Sequence, residues 1–306
     1  MDKQPTTNFP QVLLLGNGLN RAFGGESWGK IIEEIWQNNK IKFNDIVSLP
    51  FPLQAIVGTD DKVETILAGK PKSFYGLEDI GKLQSSICRL LNIKFDHILT
   101  TNYSYEIERV GNPSISQDGE KCKNIMKHTS ACERSESKYL LHTYNSLVYE
   151  GYENKVWHIH GEMRKPSGVI LGHYSYGRLL GKYMEEMKKA GNKYQNSQKN
   201  GKTCRIDSWL DAFILGDVYI LGFGLDVSEM DLWWLINRKK REKAEHGKIV
   251  IYEPSYGQEI KESLLDTYGV KTNNLGYRTE VKGDDYAKFY EDAISDIQCK
   301  VELSRR

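Results

Sequence analysis

Val12-Leu13-Leu14-Leu15-Gly16-Asn17-Gly18-Leu19-Asn20-Arg21-Ala22-Phe23-Gly24-Gly25 is the stretch whose reading decides the fold. Four consecutive apolar residues running into Gly-x-Gly, followed by residues able to turn helical, read as a buried parallel strand that delivers the backbone to an anion. Glycines at 16 and 18 remove Cβ atoms where a tight turn and a close approach of main-chain N–H groups to a phosphate would need them gone. Arg21 stands where the dinucleotide fingerprint of dehydrogenases has its third glycine, which disfavours ordinary hydride transfer. A glycine turn with no ligand stays open on this stretch alone.

The same logic recurs downstream. Val218-Tyr219-Ile220-Leu221 runs into Gly222-Phe223-Gly224 and Asp226, then a helix for which Ser228 is a candidate N-cap with Asp231 at the third helical position. Lys248 to Tyr252 forms a further parallel strand, and Glu253 at its tip is suited to accept hydrogen bonds from ribose hydroxyls. Phe95 to Thr101 is another buried strand, ending in Asn102-Tyr103-Ser104-Tyr105. Thr101 and Asn102 there are either a ligand rim or the cap of a helix starting near Tyr105. Alternation along Val156-Trp157-His158-Ile159-His160-Gly161 predicts His158 and His160 on one strand face, with Gly161 ending the strand. Metal binding by this pair lacks a third ligand, whereas proton transfer at the strand's carboxyl end needs none. Gly168 to Tyr174 reads as another strand or a rim.

Between these strands lie helical stretches. Trp28 to Trp36 has helical apolar spacing, Leu77 to Leu91 is amphipathic, and 28–93 together reads as a helical layer over one sheet face. Residues 111–152 are polar and read as a surface excursion with a short strand near Tyr139 to Tyr144; His128 and His142 there read as ordinary surface or packing histidines. A charged helix from 178 leads into 191–201, read as a loop that is either simply solvated or a lid or docking segment. Helices are expected at Ile206–Leu215 and Tyr286–Ile297.

The composition narrows the function classes. Lys+Arg number 42 and Asp+Glu 41 in 306 residues, so no overall field selects nucleic acid or an anionic membrane. The 5 cysteines, at 88, 122, 132, 204 and 299, form neither a disulfide framework nor a C-x-x-C zinc clip and fit a reduced, cytoplasmic setting. A polar first decade and the lack of a long apolar run predict neither leader peptide nor membrane anchor. The length suits one large domain or two small ones, and the chain is read as a single domain spanning 1–306 with helical insertions at about 28–93 and 178–210.

Gly16-Asn17-Gly18, Thr100-Thr101-Asn102-Tyr103, His158-Ile159-His160-Gly161, Leu221-Gly222-Phe223-Gly224 with Asp226, and Glu253 follow one another in an order that resembles the sirtuin-like family. The likeness is closer to its bacterial anti-phage defence branch than to the protein deacetylases, and it runs from about Val12 to Glu253. It implies an α/β, Rossmann-like, mostly parallel sheet with a smaller helical module, binding NAD as substrate and no metal. By position, the loop Gly16, Asn17, Gly18, Leu19, Asn20 would lie against the pyrophosphate, and Thr101 and Asn102 at the nicotinamide ribose. His160 would be catalytic with Gly161 beside it, Gly222, Phe223, Gly224 and Asp226 would approach the adenosine half, and Glu253 its ribose. The chain lacks the deacetylases' zinc cysteines, and Ser104 replaces the usual aspartate two residues after the motif asparagine. The implied activity is hydrolysis of NAD to nicotinamide and ADP-ribose, an effector of defence by NAD depletion. An ADP-ribosyltransferase or deacylase, or a non-catalytic NAD or ADP-ribose sensor or partner subunit, are the alternatives. About 50 residues follow the sirtuin-like region, so control is expected from self-assembly into a homo-oligomer, a separate regulatory or sensor protein, or an occluding loop. Direct contact with nucleic acid is not expected.

Overall fold

Strand β1, Gln11–Leu15, is buried along its whole length and sits near the middle of an eight-stranded sheet. The computed structural model describes residues 9–25, 27, 29, 49–57, 80–112, 128–131, 140–162, 165–190, 192–226, 228–254, 259–277, 281 and 283–306. In chain order its elements are β1, α1 (Gly18–Ala22), α2 (Phe51–Val57), α3 (Ile80–Asn92), β2 (His97–Thr100), α4 (Glu106–Gly111), β3 (His128–Ser130), β4 (Thr143–Tyr149) and β5 (Tyr152–His158). Then come α5 (His173–Ala190), α6 (Lys193–Lys199), α7 (Trp209–Leu215), β6 (Asp217–Leu221), α8 (Met230–Lys240), β7 (Ile249–Tyr252), α9 (Glu259–Thr267), β8 (Val270–Asn273) and α10 (Asp284–Ser304).

The spatial order of the strands is β3-β4-β5-β2-β1-β6-β7-β8. From β5 to β8 every neighbouring pair is parallel, and β3 and β4 add an antiparallel edge. This is the expected α/β, mostly parallel, Rossmann-like sheet. The chain leaves β1 toward β2 on one side, and β6 flanks it on the other, so the strand order reverses there. Open α/β sheets take ligands in such a crevice, beyond the strands' carboxyl ends. Register puts those ends in one row, because Leu15 is level with both Thr100 and Leu221, Thr100 with His158, and Leu221 with Tyr252.

Alternation along β1 feeds two cores. Val12 and Leu14 pack with Trp157, Ile220 and Ile251 under α5, α7 and α8; Leu13 and Leu15 pack with Ile98, Leu221 and Val250 under α3 and α10. A strand buried on both faces by helices is why its sequence is continuously apolar. Helix α3 does cover one face, as expected. The stretch 178–210, anticipated as an insertion, packs Leu179, Tyr183, Tyr194 and Trp209 directly into the other sheet core.

Several local expectations need correction. Residues 193–199 are helical, not loop, because Tyr194 is buried with its hydroxyl donating to Asp211 at 2.6 Å and Lys193 bonds Asp207 and Asp211. Tertiary contacts there override a polar, Asn-rich composition. The excursion 111–152 contributes β4, an antiparallel partner of β5. Val169 to Gly172 is a rim, with no strand assigned to it. Helix α7 begins at Trp209, capped by Ser208 in a reciprocal box with Asp211, and α10 runs on to Ser304. Helix α8 is preceded by Glu229 with no side-chain cap, and Asp231 is its second residue. The predicted helix 28–36 lies almost wholly outside the described residues, as do Cys122 and Cys132; Cys88, Cys204 and Cys299 are free. Among the described residues no helix is long and apolar enough to cross a membrane.

Candidate active site

The two Gly-x-Gly turns meet each other. Gly16 N–H donates to the Leu221 carbonyl at 2.9 Å, and Gly18 N–H to the Gly222 carbonyl at 2.6 Å. A Cβ on Gly16 would stand 2.4 Å from the Gly222 oxygen, and one on Gly18 would stand 2.4 Å from the Tyr290 hydroxyl. Gly222 has φ +68, and its Cβ would stand 2.8 Å from Leu19 N. Both N–H groups bind the second turn, and the missing Cβ atoms let the turns interlock.

Beyond the interlocked turns opens a cleft of about 580 Å³, within the range of small-molecule sites. Of the sequence-derived positions, Asn17, Gly18, Thr101, Gly222, Phe223, Gly224, Asp226 and Glu253 line it. Gly16, Leu19, Asn20, Asn102, His160 and Gly161 do not belong to that lining. Leu19 is core, and Asn20 donates to Glu106 Oε1 at 3.3 Å. Ser104, the departure from the family motif, donates to the same Glu106 oxygen and so ties the turn after β2 to α4. Asp226 accepts from the Ser228 N–H at 2.8 Å and hydroxyl at 2.6 Å, shaping the entry to α8. Glu253 is held at both oxygens by Lys261, at 2.9 and 2.6 Å.

The cleft also recruits residues the sequence reading passed over. Arg21 lines it from α1, and Phe51 from α2. Tyr286 and Tyr290 lie one helical turn apart on α10, their rings stacked at 6.4 Å and 29°. The i, i+4 tyrosine spacing was a readable signal. Arg21 was read only as a missing glycine, although a cation beside a glycine turn is itself an anion-binding signal.

Glu229 is the cleft residue that leads inward. Its Oε2 accepts from the Tyr176 hydroxyl at 3.2 Å. His160 Nε2 bonds Asp231 Oδ2 at 2.9 Å, Tyr183 donates to that same oxygen at 3.3 Å, and Tyr176 meets the imidazole edge-on at 5.5 Å. One ligand-type atom from each of His160, Glu229 and Asp231 falls within 4.8 Å of the others. Burial opposes charge on His160, but Asp231 and then Glu229 outweigh it and raise the imidazole above its ordinary value. Burial pushes Glu229 up to about 7, with Asp231 and Asp226 adding to the rise and His160 opposing it.

His158 and His160 do not share a face. Strand β5 ends at His158, and the chain turns there, with Gly161 N–H donating back to the His158 carbonyl at 3.1 Å. Gly161 has φ +90 and a Cβ site 2.4 Å from the Gly168 carbonyl oxygen. His160 is thereby sent toward α5 and α8, whereas His158 points toward α4. His158 Nδ1 donates to the Asn102 carbonyl at 2.8 Å and Nε2 to Glu108 Oε1 at 2.9 Å. Burial would lower its pKa, yet Glu108 and Glu162 raise it to about 9, so the ring is an imidazolium at neutral pH. It secures the backbone of Asn102, whose N–H donates to Thr100 Oγ1 and whose side-chain Oδ1 is buried with no hydrogen-bond partner. Asn102 is not the helix cap; Tyr105 holds that position. Neither a scan against protein-family models nor a search of curated proteins finds a match to this chain.

Proposed function

We propose that this chain hydrolyses the N-glycosidic bond of NAD to nicotinamide and ADP-ribose, acting as a sirtuin-like effector of bacterial anti-phage defence through NAD depletion. The observation that carries this reading is a single cleft that runs from both glycine turns to Glu229, the outer member of a buried acid–histidine cluster. A dinucleotide needs a cation for its pyrophosphate, a flat surface for its base and acceptors for its ribose hydroxyls. In this reading Arg21 supplies the first, Tyr286 with Phe223 the second, and Asp226 and Glu253 the third. Nicotinamide leaves as a neutral ring while the ribose becomes cationic, so the chemistry calls for anionic groups and an oriented water at the reacting carbon. Asn102, His160 and the carboxylates beside it belong to that end. Control by self-assembly or by a separate partner protein belongs to the same reading.

Product stoichiometry tests the proposal. Purified protein incubated with NAD is expected to release nicotinamide and free ADP-ribose in equal amounts, with no gain of mass on any protein present. Asn102→Ala, which removes the unpartnered side-chain oxygen, is expected to slow release by ~100-fold through lost positioning. ADP-ribose found attached to protein would make the chain a transferase, and bound NAD with no nicotinamide released would make it a sensor.

A further inference from the structure

Glu229 is the one member of the buried cluster that also lines the cleft. Its backbone is fixed at the start of α8, where its carbonyl accepts from the N–H groups of Leu232 and Trp233, both at 3.1 Å. Its carboxyl is held by Tyr176, with His160 and Asp231 behind it. His160 is differently placed: it is 3% exposed, its Nε2 is engaged by Asp231, and Tyr176 meets its ring edge-on. With Nε2 committed to a fully buried aspartate, that nitrogen is not free to take a proton from a water in the cleft.

We propose that the carboxylate of Glu229 is the proton acceptor for the water that attacks the ribose, and that His160 acts through it as a positioning residue. This rests on the NAD-hydrolase reading above. The water oxygen bonds to the ribose carbon as the carbon–nitrogen bond breaks, and the bonding pair leaves on the ring nitrogen of nicotinamide. The proton released by the water passes to Glu229 and then to solvent. NAD⁺ and water thus give ADP-ribose, nicotinamide and one proton.

The groups facing Glu229 decide when it is ionised. Asp231 on α8 and Asp226 before it disfavour the charged form, as does burial; His160 and the Tyr176 hydroxyl favour it. Tyr103 and Tyr183 also face this cluster, and their hydroxyls stay neutral because burial and these same carboxylates raise them well above their ordinary value. The ionised form is the acceptor, so kcat should rise with pH through about 7 and level off above it.

The experiment is a pH–rate profile of nicotinamide release for wild type, Glu229→Gln, Glu229→Asp, His160→Gln and Tyr176→Phe, with ADP-ribose affinity measured alongside. Glu229→Gln is expected to lower kcat by ~100-fold and to lose the acidic limb, with ADP-ribose affinity kept within a few-fold. Glu229→Asp should recover part of the rate with the limb present. His160→Gln removes the cation that favours ionised Glu229, so the limb should move to higher pH. Tyr176→Phe should move it the same way, which keeps the test intact if His160→Gln fails to fold. A wild-type rate in Glu229→Gln, or an acidic limb that survives in it, overturns the proposal alone. A wild-type chain that releases no nicotinamide at any pH overturns the hydrolase reading and this proposal with it.

Discussion

The imidazole of His158 is gripped at both nitrogens, by the Asn102 carbonyl on one side and Glu108 on the other. Asn145 donates to the same Glu108 oxygen at 2.9 Å. A folded-state pKa of about 9 against an ordinary 6.5 means the folded chain holds a proton that the unfolded chain gives up first. The resulting stability is fully present below about 6.5 and is lost as pH rises through about 9. The amount at stake is roughly 3 kcal/mol. Lys239, buried against the Phe213 and Gly216 carbonyls, has its pKa lowered to about 7 and contributes with the opposite sign at alkaline pH. The comparison to make is therefore wild type against His158→Gln, by urea denaturation from pH 6 to 10. Their stability difference should shrink across that window; a constant difference would show that His158 is not a buried cation.

Among elements, the paired glycine turns carry the architecture, and they separate two kinds of glycine. Gly222 combines φ +68 with a Cβ site 2.8 Å from Leu19 N, whereas a Cβ on Gly224 would meet nothing within 4 Å. Gly222→Ala is expected to cost about 2 kcal/mol or more in urea denaturation, and Gly224→Ala about 0.5 kcal/mol or less. Equal losses would contradict the interlocked turns. The same contrast marks what the sequence could disclose. Val12 to Leu15 and Val218 to Leu221 are apolar without a break because helices cover both faces, so strands, order and carboxyl-end placement could be read directly. The partner of each glycine could not, since Gly16 answers to Gly222 across 206 positions of sequence. His160 followed the strand's alternation only on paper, because Gly161 packing on Gly168 turns the chain one residue after His158. The β4–β5 pairing escaped notice because Asn145, Glu153 and Asn154 make it look like a loop. Asp231 reads in the sequence only as a helix-start residue after Ser228, Glu229 carries no signal of its own, and only the fold brings α8 against the end of β5.

At the scale of the molecule, one row of strand ends gathers the candidate site. His158, Thr100, Leu15, Leu221 and Tyr252 are level across five parallel strands. The segments that follow them deliver the His160 cluster, Asn102, the two turns and Glu253 to the same edge. Arg21, Tyr286 and Glu229 are spread around a single cleft there, so an extended ligand lying in it would meet a cation, an aromatic ring and a carboxyl. The most direct test is a crystal structure of the wild-type protein with ADP-ribose. The pyrophosphate is predicted beside Arg21, the adenine against Tyr286, and the free ribose carbon next to Glu229. ADP-ribose bound elsewhere on the molecule, or a cleft that stays empty at saturating ligand, would contradict the account.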